Sequence, residues 1–357
     1  MIGADVMGTI WYWLVAAMLV AYVVLDGFDI GAGIIHLFIA KSDLDRQMIL
    51  RSIGPVWDGN EVWLIAGGGT LYFAFPLLYA SAFSGFYLAF IIVLWLLILR
   101  GLGIELRMHL DVRVWREFFD GCFAISSALL AIILGAALAN VIRGVPLGDD
   151  SYFFLPLWTN WQAGPNPGIL DWYTVIGGLV ALVALTVHGS LFVALKVEGA
   201  LHDRTVRLVR ALWPALVAIT IVSLVSTVWV RRSMLENYTH YPVALTIPVL
   251  VMASLSGIPV YCRSGRVRAA FRCSCLYLTF MLVGAAAGLY PTMLPSTTDS
   301  ARDITIARAI SGRYALSAGL SWWTLGIVIA IGYFVFVYRM FAGKVRVTPS
   351  PSTDATN

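Results

Sequence analysis

The 357-residue chain is 60% hydrophobic and only 12% charged, with a mean hydropathy of +0.83. A water-soluble domain carries about 25% charged residues, so the chain is an integral membrane protein and not a globular protein with a large core. The formal net charge of +4 is small, and its placement says more than its sum.

Nine apolar segments approach or exceed the ~20 residues needed to span a bilayer as a helix. They cover residues 7–39, 59–80, 83–102, 119–142, 172–196, 208–230, 243–262, 271–293 and 316–341. The first is too long for a cleaved secretory signal and lacks its cleavage pattern. The expected fold is therefore an all-α polytopic membrane protein with nine transmembrane helices. Residues 1–342 form a single transmembrane domain, and the polar, Pro/Ser-rich residues 343–357 form a disordered cytoplasmic tail.

Most of the 24 lysines and arginines follow the odd-numbered segments, as in Lys41, Arg46 and Arg51, or Arg263, Arg266, Arg268 and Arg272. Arg100 is counted with Arg107, Arg113 and Arg116 in the group after the third. The minority, Arg143, Arg231, Arg232, Arg302, Arg308 and Arg313, follow even-numbered segments. By the positive-inside rule the N-terminus lies in the periplasm and the C-terminus in the cytoplasm. On the periplasmic side, loops 143–171 and 295–314 are long enough to meet a partner. A weak repeat relates residues 44–55 to residues 202–214, which suggests two related four-helix halves.

Acids inside apolar helices are costly, at least ~2.5–3.5 kcal/mol each at the centre of a span, and they mark function by default. The first segment carries Asp26, Asp29, Gly33 and His36, spaced i, i+3, i+7 and i+10, so all four share one narrow helical face. Asp29 lies roughly 15 Å from the helix end near Ile39. A stripe of acids and a histidine suits a proton relay. The same acids also suit a structural role, either capping a broken helix or pairing with an arginine of a neighbouring helix. The second segment opens with Asp58 and Glu61. This pair reads either as a capping box with Asp in the Ser/Thr place or as the cytoplasmic mouth of the relay.

The glycines of Gly67-Gly68-Gly69, of Gly27 and Gly31, and of Gly284 and Gly288 read as sites of close helix approach. The four cysteines read as small packing residues. Only His36 and His188 of the five histidines lie within spans, which leaves one weak option for a bis-His haem. No metal cluster, nucleophile triad or nucleic-acid stripe is present. Residue types alone leave open a proton-coupled secondary transporter or a scaffold whose acids cap helices.

Several runs carry a family resemblance. L-D-G-F-D-I-G, I-G-P-V-W-D-G-N-E-V-W-L, A-F-P-L-L-Y-A, S-G-F-Y and R-G-L-G-I-E-L-R lie between Leu25 and Arg107. Looser landmarks follow at N-V-I-R-G-V-P, Y-P-T-M-L-P-S-T and Y-A-L-S-A-G-L-S-W-W. Together they resemble subunit II of cytochrome bd-type quinol oxidases, over the whole length of the chain. The resemblance implies two four-helix bundles plus a peripheral helix, in a bacterial inner membrane. It implies a partner, cytochrome bd subunit I, that carries haem b and haem d, in a complex that oxidises quinol and reduces O2 to water. It implies a proton path through Asp26, Asp29 and Asp58, to which Glu61 and His36 are added from the residues themselves. It leaves room for a small accessory subunit and for a structural quinone or lipid.

Overall fold

The computed structural model describes residues 4–345. In hydrocarbon every backbone N–H and C=O must be bonded within the chain, which leaves helices as the available spanning form for such a sequence. The helices are α1 (Ala4–Ile39), α2 (Asp43–Ile53), α3 (Trp57–Ala74), α4 (Pro76–Gly85), α5 (Tyr87–Leu106), α6 (Arg113–Arg143), α7 (Trp172–Lys196), α8 (Gly199–Val230), α9 (Ser233–His240), α10 (Thr246–Arg263), α11 (Val267–Leu289), α12 (Ile306–Ala309) and α13 (Arg313–Met340). Among the described residues, eight helices are long and apolar enough to cross a membrane. The expected second span, residues 59–80, is not among them. It is divided into α3 and α4, which meet at Phe75. Pro76 explains the break: it has no N–H to donate and disfavours helical backbone in the residue before it. α3 nevertheless runs antiparallel to α1, with Asn60 beside Leu25 and Phe73 against Trp11.

α1, α3, α5 and α6 form one bundle, and α7, α8, α10 and α11 form a second. α13 lies outside both, and its spanning stretch is unburied within the chain. Residues 44–55 and 202–214 each follow the leading helix of a bundle. The first forms α2 and its exit turn, whereas the second is continuous with α8. The two segments touch through a 2.6 Å ion pair between Asp45 and Arg204. Gly31 and Gly189 stand equally far before Leu44 and His202 respectively, and they meet where α1 crosses α7.

That crossing shows why small residues are used. A Cβ on Gly31 would collide with the carbonyl oxygen of Leu185, and a Cβ on Gly189 with the backbone of Gly31. Backbone cannot move aside as a flexible side chain can. Gly31→Leu should therefore cost at least the ~1–3 kcal/mol typical of overpacking. Gly68→Leu should be nearly neutral, because nothing lies within 4 Å of that position. Thermal unfolding of the purified protein in detergent compares the two. The Gly67–Gly69 run is thus a packing site only at Gly67, which faces Leu19 of α1.

Arg143, at the end of α6, is bonded to Asp171, and Asp171 in turn caps α7 by accepting from the amides of Tyr173 and Thr174. A short antiparallel hairpin, β1 (Thr292–Leu294) with β2 (Ile304–Thr305), covers the same end. At the basic end Lys344 donates to the carbonyls of Ala194 and Val197, and the Val345 amide donates to Lys196. These two residues of the expected tail are thus tied to the end of α7. The rest of that tail, residues 346–357, lies outside the described residues.

Candidate functional site

Asp26 and Asp29 of α1 are completely buried and each has a partner on another helix. Asp26 is 0% exposed, and its Oδ1 accepts a 2.7 Å bond from Nη1 of Arg100 on α5, which is also 0% exposed. The other amino group of Arg100 reaches Oε2 of Glu61 on α3 at 3.0 Å. One guanidinium thus bridges two carboxylates from two helices, the fork geometry that suits arginine and not lysine. Asp29, one turn further along α1, has no cation. Its Oδ2 accepts from Nδ2 of Asn60 at 2.7 Å, and Oδ1 of Asn60 accepts from the hydroxyl of Tyr338 on α13 at 2.8 Å. Four helices therefore converge on one buried polar site holding three carboxyls and one guanidinium.

Among the described residues, Asp29 Oδ1 and Arg100 Nε have no protein partner, and the hydroxyl of Tyr22, one turn before Asp26, pairs with the Asp26 carboxyl. Buried polar atoms are nearly always bonded. Two open valences beside these acids give water the polar partners it needs.

Asp58 and Glu61 do not form the expected capping box. α3 begins at Trp57, its N-cap is Val56, and no side chain caps it. Glu61 turns inward to Arg100, while Asp58 is exposed at the basic end. A guanidinium in a low-dielectric interior attracts a carboxylate more strongly than an exposed helix amide does, so Glu61 is held by charge.

His36 belongs to a different cluster. Its Nε2 lies 2.5 Å from Oδ1 of Asp120 on α6. Asp120 also receives Arg107 through Nε at 2.5 Å and Nη2 at 3.2 Å, and Arg46 at 2.9 Å. Arg107 continues to Asp43 at 2.6 Å, and Arg116 reaches Asp43 at 3.4 Å. The four residues of the α1 stripe do share a face: Gly33 lies against Ser127 and Phe123 of α6, and His36 meets Asp120 one to two turns earlier on that helix. Among the described residues, however, no hydrogen bond joins the Asp29–Asn60–Tyr338 group to the His36–Asp120 group. Asp43 lies outside the spans. Burial works to raise its pKa, but hydrogen bonds from Arg107 and Gln47 outweigh burial and hold the carboxyl below its ordinary range. Its contribution to stability is therefore complete at neutral pH and is lost only as pH falls through that lowered value.

Two members of these clusters sit in the sequence as charges inside apolar runs. Arg100 stands in L-L-I-L-R-G-L-G-I, six residues before the end of α5, and not with the loop arginines among which it is counted. Asp120 stands in F-F-D-G-C-F near the start of α6. Apolar residues on both sides mark each as an intramembrane charge in need of a partner. Nothing local marks Asn60 or Tyr338.

The family described as "Cytochrome bd terminal oxidase subunit II" matches residues 7–341. A relative from Escherichia coli K12, named "Cytochrome bd-I ubiquinol oxidase subunit 2", is 30% identical over 377 aligned positions, which cover 97% of each chain. One from Bacillus subtilis 168, named "Cytochrome bd ubiquinol oxidase subunit 2", is 28% identical over 94% of this chain and 96% of its own. Among solved structures, a chain of the bd oxidase from Geobacillus thermodenitrificans superposes with a TM-score of 0.75 over 94% of this chain and 98% of that one. At 15% identity, that likeness speaks for the fold alone. With this match running through both bundles and α13, the chain belongs to the cytochrome bd terminal oxidase subunit II family.

Proposed function

We propose that this chain works as subunit II of a complex in a bacterial cytoplasmic membrane that oxidises quinol and reduces O2 to water. Family membership over nearly the whole chain carries that reading. The partner is a haem-bearing subunit I, and the basic end of the bundles faces the cytoplasm. Haem b and haem d belong to that partner, because the two intramembrane histidines here do not fit a haem. Nε2 of His188 donates to the Val24 carbonyl at 2.9 Å, and its Nδ1 pairs with the Ser274 hydroxyl at 2.8 Å. Nε2 of His36 is taken by Asp120. Among the described residues no group of three or more His, Cys, Asp or Glu side chains is arranged to hold a metal ion.

The chain's own contribution is a route for protons. Asp58 stands exposed at the cytoplasmic end of α3 and collects them. Glu61, one turn further in and partly exposed, passes them toward Asp26, the carboxyl held on the other side of Arg100. Asp29, the acid that no cation reaches, is where a proton can rest, with its open Oδ1 leading onward. Arg100 holds two of the three carboxyls in place without itself giving up a proton, since arginine stays charged in proteins. His36 anchors the neighbouring cluster that fixes α1 against α6.

The complex is tested by affinity purification of this chain from its native membrane. A haem-bearing partner should accompany it, with haem b and haem d absorption, and deletion of the chain should abolish the corresponding quinol-dependent oxygen uptake. A colourless preparation, together with oxygen uptake unchanged on deletion, would rule out the oxidase assignment.

A further inference from the structure

The arginines at the basic end are paired to different extents in the two bundles. In the first bundle Arg46 and Arg107 are bonded to Asp120, and Arg107 and Arg116 to Asp43. In the second bundle, Arg207 and Arg210 of α8, Arg263 at the end of α10, Arg266 in the following turn, and Arg268 and Arg272 of α11 are all exposed. Among the described residues, none of these six pairs with a carboxylate. Arg210 instead donates to the carbonyl of Cys262 at 2.8 Å, which seats the α8 pair beside the α10–α11 turn. The result is a positive patch at the basic end of the second bundle.

Its surroundings are apolar and open. Val260, one turn before Arg263, is 61% exposed, and Leu276, one turn after Arg272, is 47% exposed. The arginines therefore rim the outward apolar surface of a membrane-spanning bundle, at the level where lipid phosphates lie. A shallow, open groove runs along α10, lined by Pro248, Val249, Met252, Ala253 and Ser256. Ser256, Val260 and Arg263 continue its line at i, i+4 and i+7, on one helical face. From Arg263 to Ser256 is about 10 Å along the helix, within the ~15 Å depth of one leaflet.

We propose that this patch binds the phosphate headgroup of an anionic phospholipid, with an acyl chain lying along α10 toward the groove. Arginine's planar fork suits phosphate oxygens, and basic clusters at the edges of membrane helices attract anionic lipid. The proposal does not depend on the oxidase assignment.

The test uses the chain purified with its native partners in mild detergent and stripped of loosely held lipid. Dioleoyl phosphatidylglycerol is titrated in and followed by native mass spectrometry, with dioleoyl phosphatidylcholine as the neutral comparison. Phosphatidylglycerol should bind preferentially, and inorganic phosphate should not displace it. Arg268→Gln and Arg272→Gln should each weaken binding about five-fold, and Arg232→Gln at the opposite end should leave it unchanged. The proposal is overturned if both single variants bind phosphatidylglycerol as the unaltered protein does. It is equally overturned if inorganic phosphate competes at matched concentration, or if the variants shed a protein partner while keeping the lipid.

Discussion

Arg100→Gln is expected to destabilise the first bundle by about 3–5 kcal/mol, the cost of breaking a buried ion pair from one side. A domain's whole stability is typically about 5–15 kcal/mol, so the variant should accumulate poorly and melt early. Among the described residues Arg100 is the single cation paired with Asp26 and Glu61, and both it and Asp26 are 0% exposed. Its removal leaves Asp26 with no cation in a region that water cannot easily reach. The triple change Arg100→Gln, Asp26→Asn and Glu61→Gln should recover much of the loss, because it removes the stranded carboxyls together with the cation. Thermal unfolding of the purified variants checks this. Wild-type stability in the single variant, or no recovery in the triple, would show that the bridge does not hold the bundle.

The second large effect is expected at Asp120. Asp120→Ala should cost a similar ~3–5 kcal/mol, because the carboxylate holds His36, Arg46 and Arg107 together and links α1 and α2 to α5 and α6. Arg107 is fully buried and would keep only Asp43. Since the two residues act as a unit, Asp120→Ala with Arg107→Ala should be little worse than either change alone. A double-mutant cycle on unfolding measures this directly. Additivity within ~0.5 kcal/mol would mean that the two side chains stabilise the fold independently.

Both clusters were partly legible in the sequence, to different depths. Helical periodicity puts Asp26, Asp29, Gly33 and His36 on one face of α1, and the structure keeps them there. What periodicity cannot supply is the partner across the gap. Asp26 meets Arg100, Asp29 meets Asn60, and His36 meets Asp120, and each of those choices depends on how helices distant in sequence are packed. Arg100 is hidden by the charge count: it lies inside the expected third segment, residues 83–102, yet it is grouped with the arginines that follow that segment, and the structure buries it within α5. Asp58 and Glu61 show a local rule overridden, since the spacing of a capping box is present while an intramembrane guanidinium draws Glu61 away. The division of the second span into α3 and α4 follows from Pro76, a residue already visible in the run. The two segments of the faint repeat take different forms, a separate α2 against a continuous α8, although they touch where Asp45 meets Arg204.

The proton route stands most exposed at Asp29. Asp29→Asn keeps the shape, and the new amide oxygen can still accept from Asn60, so the fold and the haem absorption of the complex should be unchanged. What the amide cannot do is take up and release a proton. Steady-state quinol-driven oxygen consumption in the purified complex, measured beside haem content, should fall about a hundred-fold, the lower end of what a positioned proton-transfer group contributes. Asp58→Asn should fall less, because water reaches that end of α3 directly. Full turnover in Asp29→Asn at normal haem content would contradict the route and leave the buried carboxyls as structural partners of Arg100 and Asn60.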